Sequence, residues 1–277
     1  MTLGAVAVGA VLGALIASLW SRRRQGRFLA TAEYWVYMPD PELPSQTEVM
    51  HRMLAANPYG SPGDPPIGPP EGRFFSDIRL HIALVLRAKN PHAFRGDAFP
   101  EECAPSAEQV ERISSCSSLA KLRFVSEDPL PDKRHITFMT HAADAMAELG
   151  NSTLIYDRTA ERLIDRSELS SALGTDPKGT AAETHVRILW KPMALGGRSE
   201  TRGMQKIGRP DLVSAEMDSD EQVLVSAVLT EAAKQLWDGG TISEPFEVQA
   251  FEDVFQVQAL RPKDGRIPVR IMRVRMA

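Results

Sequence analysis

Cysteine is scarce in this 277-residue chain: Cys103 and Cys116 are the only two. Their spacing fits neither a redox C-x-x-C nor a zinc knuckle. Cys116 reads as a small apolar packing residue rather than a reactive thiol. Catalytic signatures are missing as well. No G-x-S-x-G is present, so the usual serine-hydrolase elbow is excluded. The six histidines, at 51, 81, 92, 135, 141 and 185, form no H-x-x-x-H and stand at no metal-ligand spacing from the cysteines, so no metal or cofactor is implied. Gly203-Met-Gln-Lys-Ile-Gly208 has the glycine spacing of a P-loop. Arg209-Pro210 replaces the required Lys-[Ser/Thr], and Pro210 blocks a helix from opening there.

Charge is also missing from Thr2 to Leu19, where Leu, Ile, Val and Ala dominate. About 19 residues at 1.5 Å each reach roughly 28 Å, near the roughly 30 Å of a bilayer core. Trp20 falls where an amphipathic ring prefers the interface, and Arg22, Arg23 and Arg24 follow it. No Lys or Arg precedes the apolar run and no clear A-x-A site follows it, which favours an uncleaved anchor over a secretory signal. The arginines predict an inner-membrane, single-pass protein with a cytoplasmic body; an extracytoplasmic body is the alternative, and a Cys103–Cys116 disulfide would accompany it. Ala5, Gly9, Gly13 and Ala17 repeat at four-residue spacing, a small-residue stripe that would let two helices pair as a homodimer.

Basic excess is absent from the remainder. Four of the 32 Lys and Arg residues lie in residues 1–27, where there is no acid, leaving 28 against 36 Asp and Glu and a formal charge of −8. That excludes broad nucleic-acid binding, which rests on phosphate neutralisation. With 43% hydrophobic residues the chain can bury a sizeable core.

The predicted fold class is α+β: an N-terminal transmembrane helix followed by two packed, sandwich-like α/β units with mixed or antiparallel sheets. The predicted boundaries are an anchor over 1–21, a basic linker over 22–32, a first unit over 33–174 and a second over 175–277. Within the first unit, residues 57–72 contain six prolines and four glycines and read as a loop. Tyr34–Met38 is strand-like, and Ser45 with Glu48 forms a capping box for a helix to about Ala56. Strands are expected at Ile78–Arg87, Leu122–Val125, Ile136–Met139 and Asn151–Asp157. Thr140 would cap a helix from His141 to Leu149. Ser106 with Gln109 caps another helix, and the longest one follows Asp218–Ser219 and ends at Gly239-Gly240. Alternation at Phe255–Ala259 and Ile267–Ile271 around Pro262-Lys-Asp-Gly265 predicts an antiparallel hairpin.

Thr201–Met217 is the most unusual run. Arg202, Lys206 and Arg209 put three cations within eight residues, beside Asp211. Such a loop ahead of a capped helix suits an anionic ligand. These four residues, with His141, are the candidate ligand-binding set. They support a binding or interaction module with a protein or small-molecule partner; the alternative is a hydrolase or transferase acting through the 201–211 loop. An enzyme needs a concave pocket where these side chains converge. The Thr-Arg-Gly-Met…Gly-x-Pro-Asp-Leu stretch from Thr201 to Leu212 resembles uncharacterised bacterial domains of unknown function, over roughly Ile136 to Val274. Arg209 departs from that pattern, standing where an apolar residue is expected. The resemblance implies an α+β fold and no activity.

Overall fold

A computed structural model describes residues 30–56, 80–126, 130 and 132–274. Two sheets organise it. In the first, strand β1 (Ala30–Met38) is central. It runs antiparallel to β3 (Ser118–Ser126) on one side and to β4 (Leu154–Asp157) on the other. The edges are β2 (Leu80–Leu86), on β3, and β5 (Arg162–Asp165), on β4. Strand β1 is buried almost throughout because both of its faces are covered, and strict alternation then sends two sets of side chains to two places. Ala32, Tyr34, Val36 and Met38 enter a core beneath helices α1 (Gln46–Ala56), α3 (Arg134–Leu149) and α4 (Arg166–Thr175). Tyr37 enters the opposite layer, under helix α2 (Ala107–Ser115) and the short turns of residues 91–103, where Phe94, Phe99 and Ile113 pack.

The second sheet has the order β6 (Arg187–Met193), β7 (Gly196–Arg202), β8 (Asp211–Ser214), β11 (Arg266–Arg273), β10 (Asp253–Ala259), β9 (Phe246–Ala250). All neighbours are antiparallel except β8 and β11, which run parallel from Asp211↔Arg266 to Ser214↔Val269. Helix α6 (Gln222–Trp237) lays Val228, Leu229, Ala232, Ala233 and Leu236 in one core with Val248, Phe255, Val257 and Val269. Each such aliphatic side chain contributes roughly 1.5–3 kcal/mol by leaving water.

The expected architecture is corrected at its start. No helix among the described residues is long and apolar enough to cross a membrane. The longest, α3 and α6, have 16 residues, about 24 Å. The calculated anchor over Thr2–Trp20, its interface residues Trp20, Arg22, Arg23 and Arg24, and the Ala5, Gly9, Gly13 and Ala17 stripe lie outside the described residues. The remainder of the described chain is α+β with two sheets, one antiparallel and one mixed, and helices packed on a face of each. Ile136–Met139 is not a strand and Thr140 is not a cap. Both lie inside α3, whose residues from His135 to Ala147 are all buried. Cys103 and Cys116 are free thiols, and burial pushes both above the ordinary thiol range.

The joint between the sheets is the β7–β8 connection. Gly203 adopts φ +113, and a Cβ there would stand 2.1 Å from the carbonyl oxygen of His185, the last residue of the short helix α5 (Ala182–His185), so only glycine fits. The chain then forms a single 3-10 turn, Met204–Ile207, with Met204 in the second core and Lys206 driven against β1.

Candidate functional site

Two polar clusters lie where the sheets meet. The first is sealed. Lys206 is 0% exposed, and its ammonium donates to the Asp157 carboxylate, to the Tyr34 hydroxyl at 3.1 Å and to His185 Nδ1 at 3.2 Å. All three N–H groups are thus used. His185 Nε2 faces the Gly179 carbonyl at 2.7 Å, an acceptor only, so the proton sits on Nε2 and Nδ1 is the lone-pair nitrogen. Burial, and then the Lys206 charge, holds this imidazole well below its ordinary range and hence neutral. Its ring stacks on Trp237 at 5.4 Å. Asp157, also 0% exposed, accepts from the Ala160 amide. From the start of α3, His135 Nε2 donates to the Lys206 carbonyl at 2.7 Å.

The second cluster is open: a cavity of about 480 Å³. The odd-numbered side chains of β1 build one wall, with Thr31, Glu33 and Trp35 in a row. Tyr156 extends it from β4, where it is register partner to Trp35, and Arg158 and Glu161 follow in the β4–β5 turn. Facing them, the second sheet supplies Arg202 from the end of β7, Asp211 from the start of β8 and Arg266 from the start of β11. Ala98, Phe99 and Pro100 border it from the turn segment.

Asp211 also explains the loop that carries it. Its Oδ1 accepts from Thr201 Oγ1 at 3.0 Å and from the Met204 amide at 3.2 Å, while Thr201 Oγ1 accepts from the Leu212 amide at 2.8 Å. The Thr and Asp of the Thr-Arg-Gly-Met…Pro-Asp-Leu stretch therefore clamp its two ends together. Asp211 is 3% exposed, and burial pushes its carboxyl up to about 6 against those two hydrogen bonds. Its Oδ2 makes no hydrogen bond among the described residues. The hydroxyl of Tyr156, a residue also 3% exposed, has none either. That ring is fixed edge-on by Trp35 at 5.6 Å and Phe99 at 4.9 Å.

Carboxylates hold the arginines in place. Arg202 spans Glu161 through Nε at 3.1 Å and the buried Glu200 through Nη2 at 2.7 Å. Arg266 Nη1 reaches the same Glu200 oxygen at 3.0 Å. Burial raises the Glu200 carboxyl, but Arg202, Arg266 and Lys191 outweigh it and leave the group below the usual carboxylate range. Glu33 accepts from Trp35 Nε1 at 2.6 Å and from Arg158 Nη1 at 3.1 Å.

Of the residues singled out in the sequence, the structure brings Arg202 and Asp211 together at the cavity. Lys206 points away from it into the sealed cluster. Arg209 lies beyond the far end of the turn, donating to the Gly240 carbonyl at 2.6 Å. His141 is on α3 and bonds the Pro177 carbonyl at 2.8 Å. Glu33, Tyr156, Arg158, Glu161 and Arg266 are further cavity residues. Glu33 carried a readable signal, an acid inside an otherwise apolar and aromatic strand. No group of three or more His, Cys, Asp or Glu suited to a metal ion occurs among the described residues. No protein-family model, curated protein or solved structure matches the chain.

Proposed function

We propose that this protein is a binding module that holds a small polar molecule in the cavity between its two sheets. The observation that carries this reading is that two almost fully buried residues, Asp211 and Tyr156, each turn a polar atom to the open cavity, Asp211 Oδ2 and the Tyr156 hydroxyl, that no protein atom bonds among the described residues. A few fixed polar groups converging on a concave, partly apolar space are what orients a small ligand. The cavity volume falls within the roughly 300–1,000 Å³ common for small-molecule sites.

The test is a screen of small polar metabolites by NMR, with the Trp35 indole N–H as reporter because it lies in the cavity and bonds Glu33. Ala98 is an exposed lining residue, so Ala98→Trp obstructs the cavity without entering the core. Binders are expected to shift the Trp35 signal in the wild type and to lose affinity in A98W. A screen in which nothing moves that signal defeats the reading.

A further inference from the structure

The cavity presents three cations and three carboxylates: Arg158, Arg202 and Arg266 against Glu33, Glu161 and Asp211. A net anion or a net cation would upset that balance in a partly desolvated space, where an unmatched charge is costly. A neutral molecule with separated charges would not. The groups left over are also of two kinds. Asp211 Oδ2 and Glu161 Oε1 accept no hydrogen bond among the described residues, since Arg202 takes only Glu161 Oε2. Arg158 and Arg266 each donate through Nη1 alone, leaving most of their five N–H groups without an acceptor. Spare acceptors and spare donors thus coexist at one site. Arg202 contributes little further, because Glu161, Glu200 and the Thr201 carbonyl already engage it.

We propose that the ligand is a small zwitterion of amino-acid size, its ammonium group held by Asp211 and Glu161 and its carboxylate by Arg158 and Arg266. The proposal rests on the reading of the cavity as a ligand site and adds the ligand's chemistry. Ammonium suits the first position because it donates three hydrogen bonds and accepts none, and the Tyr156 hydroxyl stands nearby as a further acceptor. Carboxylate suits the second because a guanidinium presents paired donors at its spacing. Trp35, Tyr156 and Phe99 offer apolar surface to whatever the molecule carries between or beyond its charges. A free phosphate fits less well: it would meet the arginines but leave Asp211 and Glu161 facing another anion.

The experiment is calorimetric titration of the full chain with each common L-α-amino acid, and, for each one that binds, with its decarboxylated amine and its deaminated acid. An amino acid is expected to bind, with both truncated analogues weaker by about tenfold or more. D211N is expected to cut affinity for the amino acid by a similar factor while leaving binding of the deaminated acid nearly unchanged. Arg158 is 55% exposed, so R158Q keeps the fold and is expected to show the reverse selectivity. Binding should also weaken in the wild type as pH drops through about 6, where Asp211 takes up a proton, and lose that dependence in D211N. An amine or an acid that binds as tightly as its parent amino acid overturns the zwitterion. So does silence from every amino acid while another polar metabolite moves the Trp35 signal, and in that case the cavity remains a ligand site. If no small molecule moves that signal, both readings fall together.

Discussion

Lys206 and Asp211 are five residues apart on the same connection, and each is almost fully buried between the same two sheets, yet their surroundings are built to different ends. Around Lys206 the three ammonium protons meet three acceptors, the histidine has one determined tautomer, and Asp157 is bonded from two sides. Around Asp211 one oxygen is fully used and the other is not, and the Tyr156 hydroxyl has no hydrogen bond among the described residues. A closed polar network specifies one arrangement of the sheets; an open one keeps its bonding capacity for something else. The difference locates function by what is left unspent, not by how many charges gather.

The sharpest way to break the comparison is to remove the ammonium. Lys206→Met leaves Asp157 charged and buried, and removing one partner of such a pair costs about 3–5 kcal/mol. Urea unfolding should show a loss of that order. Adding Asp157→Asn should restore much of it, because the stranded charge disappears. An undiminished loss in the double variant would mean that packing of the lysine stem, not the ion pair, supports the joint.

Next in size is a difference in sign with pH. Asp211 is raised from 3.8 to about 6, so between those values the folded chain holds a proton that the unfolded chain releases. Its contribution stabilises the acid side and is lost as pH rises through about 6, by about 3 kcal/mol for a shift of about 2 units. His185 is depressed instead: it stays neutral when folded and charges when unfolded. Its contribution is present above about pH 6.5 and declines as pH falls. The two clusters therefore pull stability in opposite directions over acid pH. Measured between pH 4 and 7, the stability of D211N relative to wild type should rise by about 2–3 kcal/mol toward pH 7. A flat difference would place Asp211 in contact with solvent.

Much of this framework can be read from residues alone, and the rest is hidden for identifiable reasons. The side chains that cap α1 and α2, Ser45 with Glu48 and Ser106 with Gln109, form the reciprocal bonds their spacing implies. The turn at Pro262–Gly265 joins β10 and β11. By contrast, α3 is buried over thirteen successive residues, so it shows no polar face, and its Ile136–Met139 portion reads as a short apolar strand. Strand β7 is obscured because its Arg198, Glu200 and Arg202 form ion pairs with one another instead of alternating with apolar residues. Only Arg202 and Asp211 of the cavity were visible in the cation-rich loop. The other lining residues stand mainly on β1, β4, the turn after β4, the 98–100 turn and β11, far away in the chain, and only the meeting of the two sheets unites them. Nor can a loop's composition reveal that Lys206 turns inward while Arg202 faces the cavity, since the positive φ of Gly203 decides it.

The smallest effect discriminates best, because it compares two nearly buried tyrosines losing the same atom. In Tyr34→Phe the lost oxygen is one that accepts from Lys206 and stands 3.2 Å from His185 Nδ1. An ammonium proton is left without its acceptor, at about 1–3 kcal/mol. In Tyr156→Phe the lost hydroxyl has no partner to strand among the described residues, so the stability change should stay within about 0.5 kcal/mol. Both rings keep their packing, so the contrast reads the hydroxyls alone. If Y156F proves as costly as Y34F, Tyr156 is bonded inside the folded chain and the cavity loses one of its two unspent groups. If Y156F is neutral for folding but weakens the binding of a molecule that shifts the Trp35 signal, the hydroxyl is shown to be held for a ligand, since nothing in the fold depends on it.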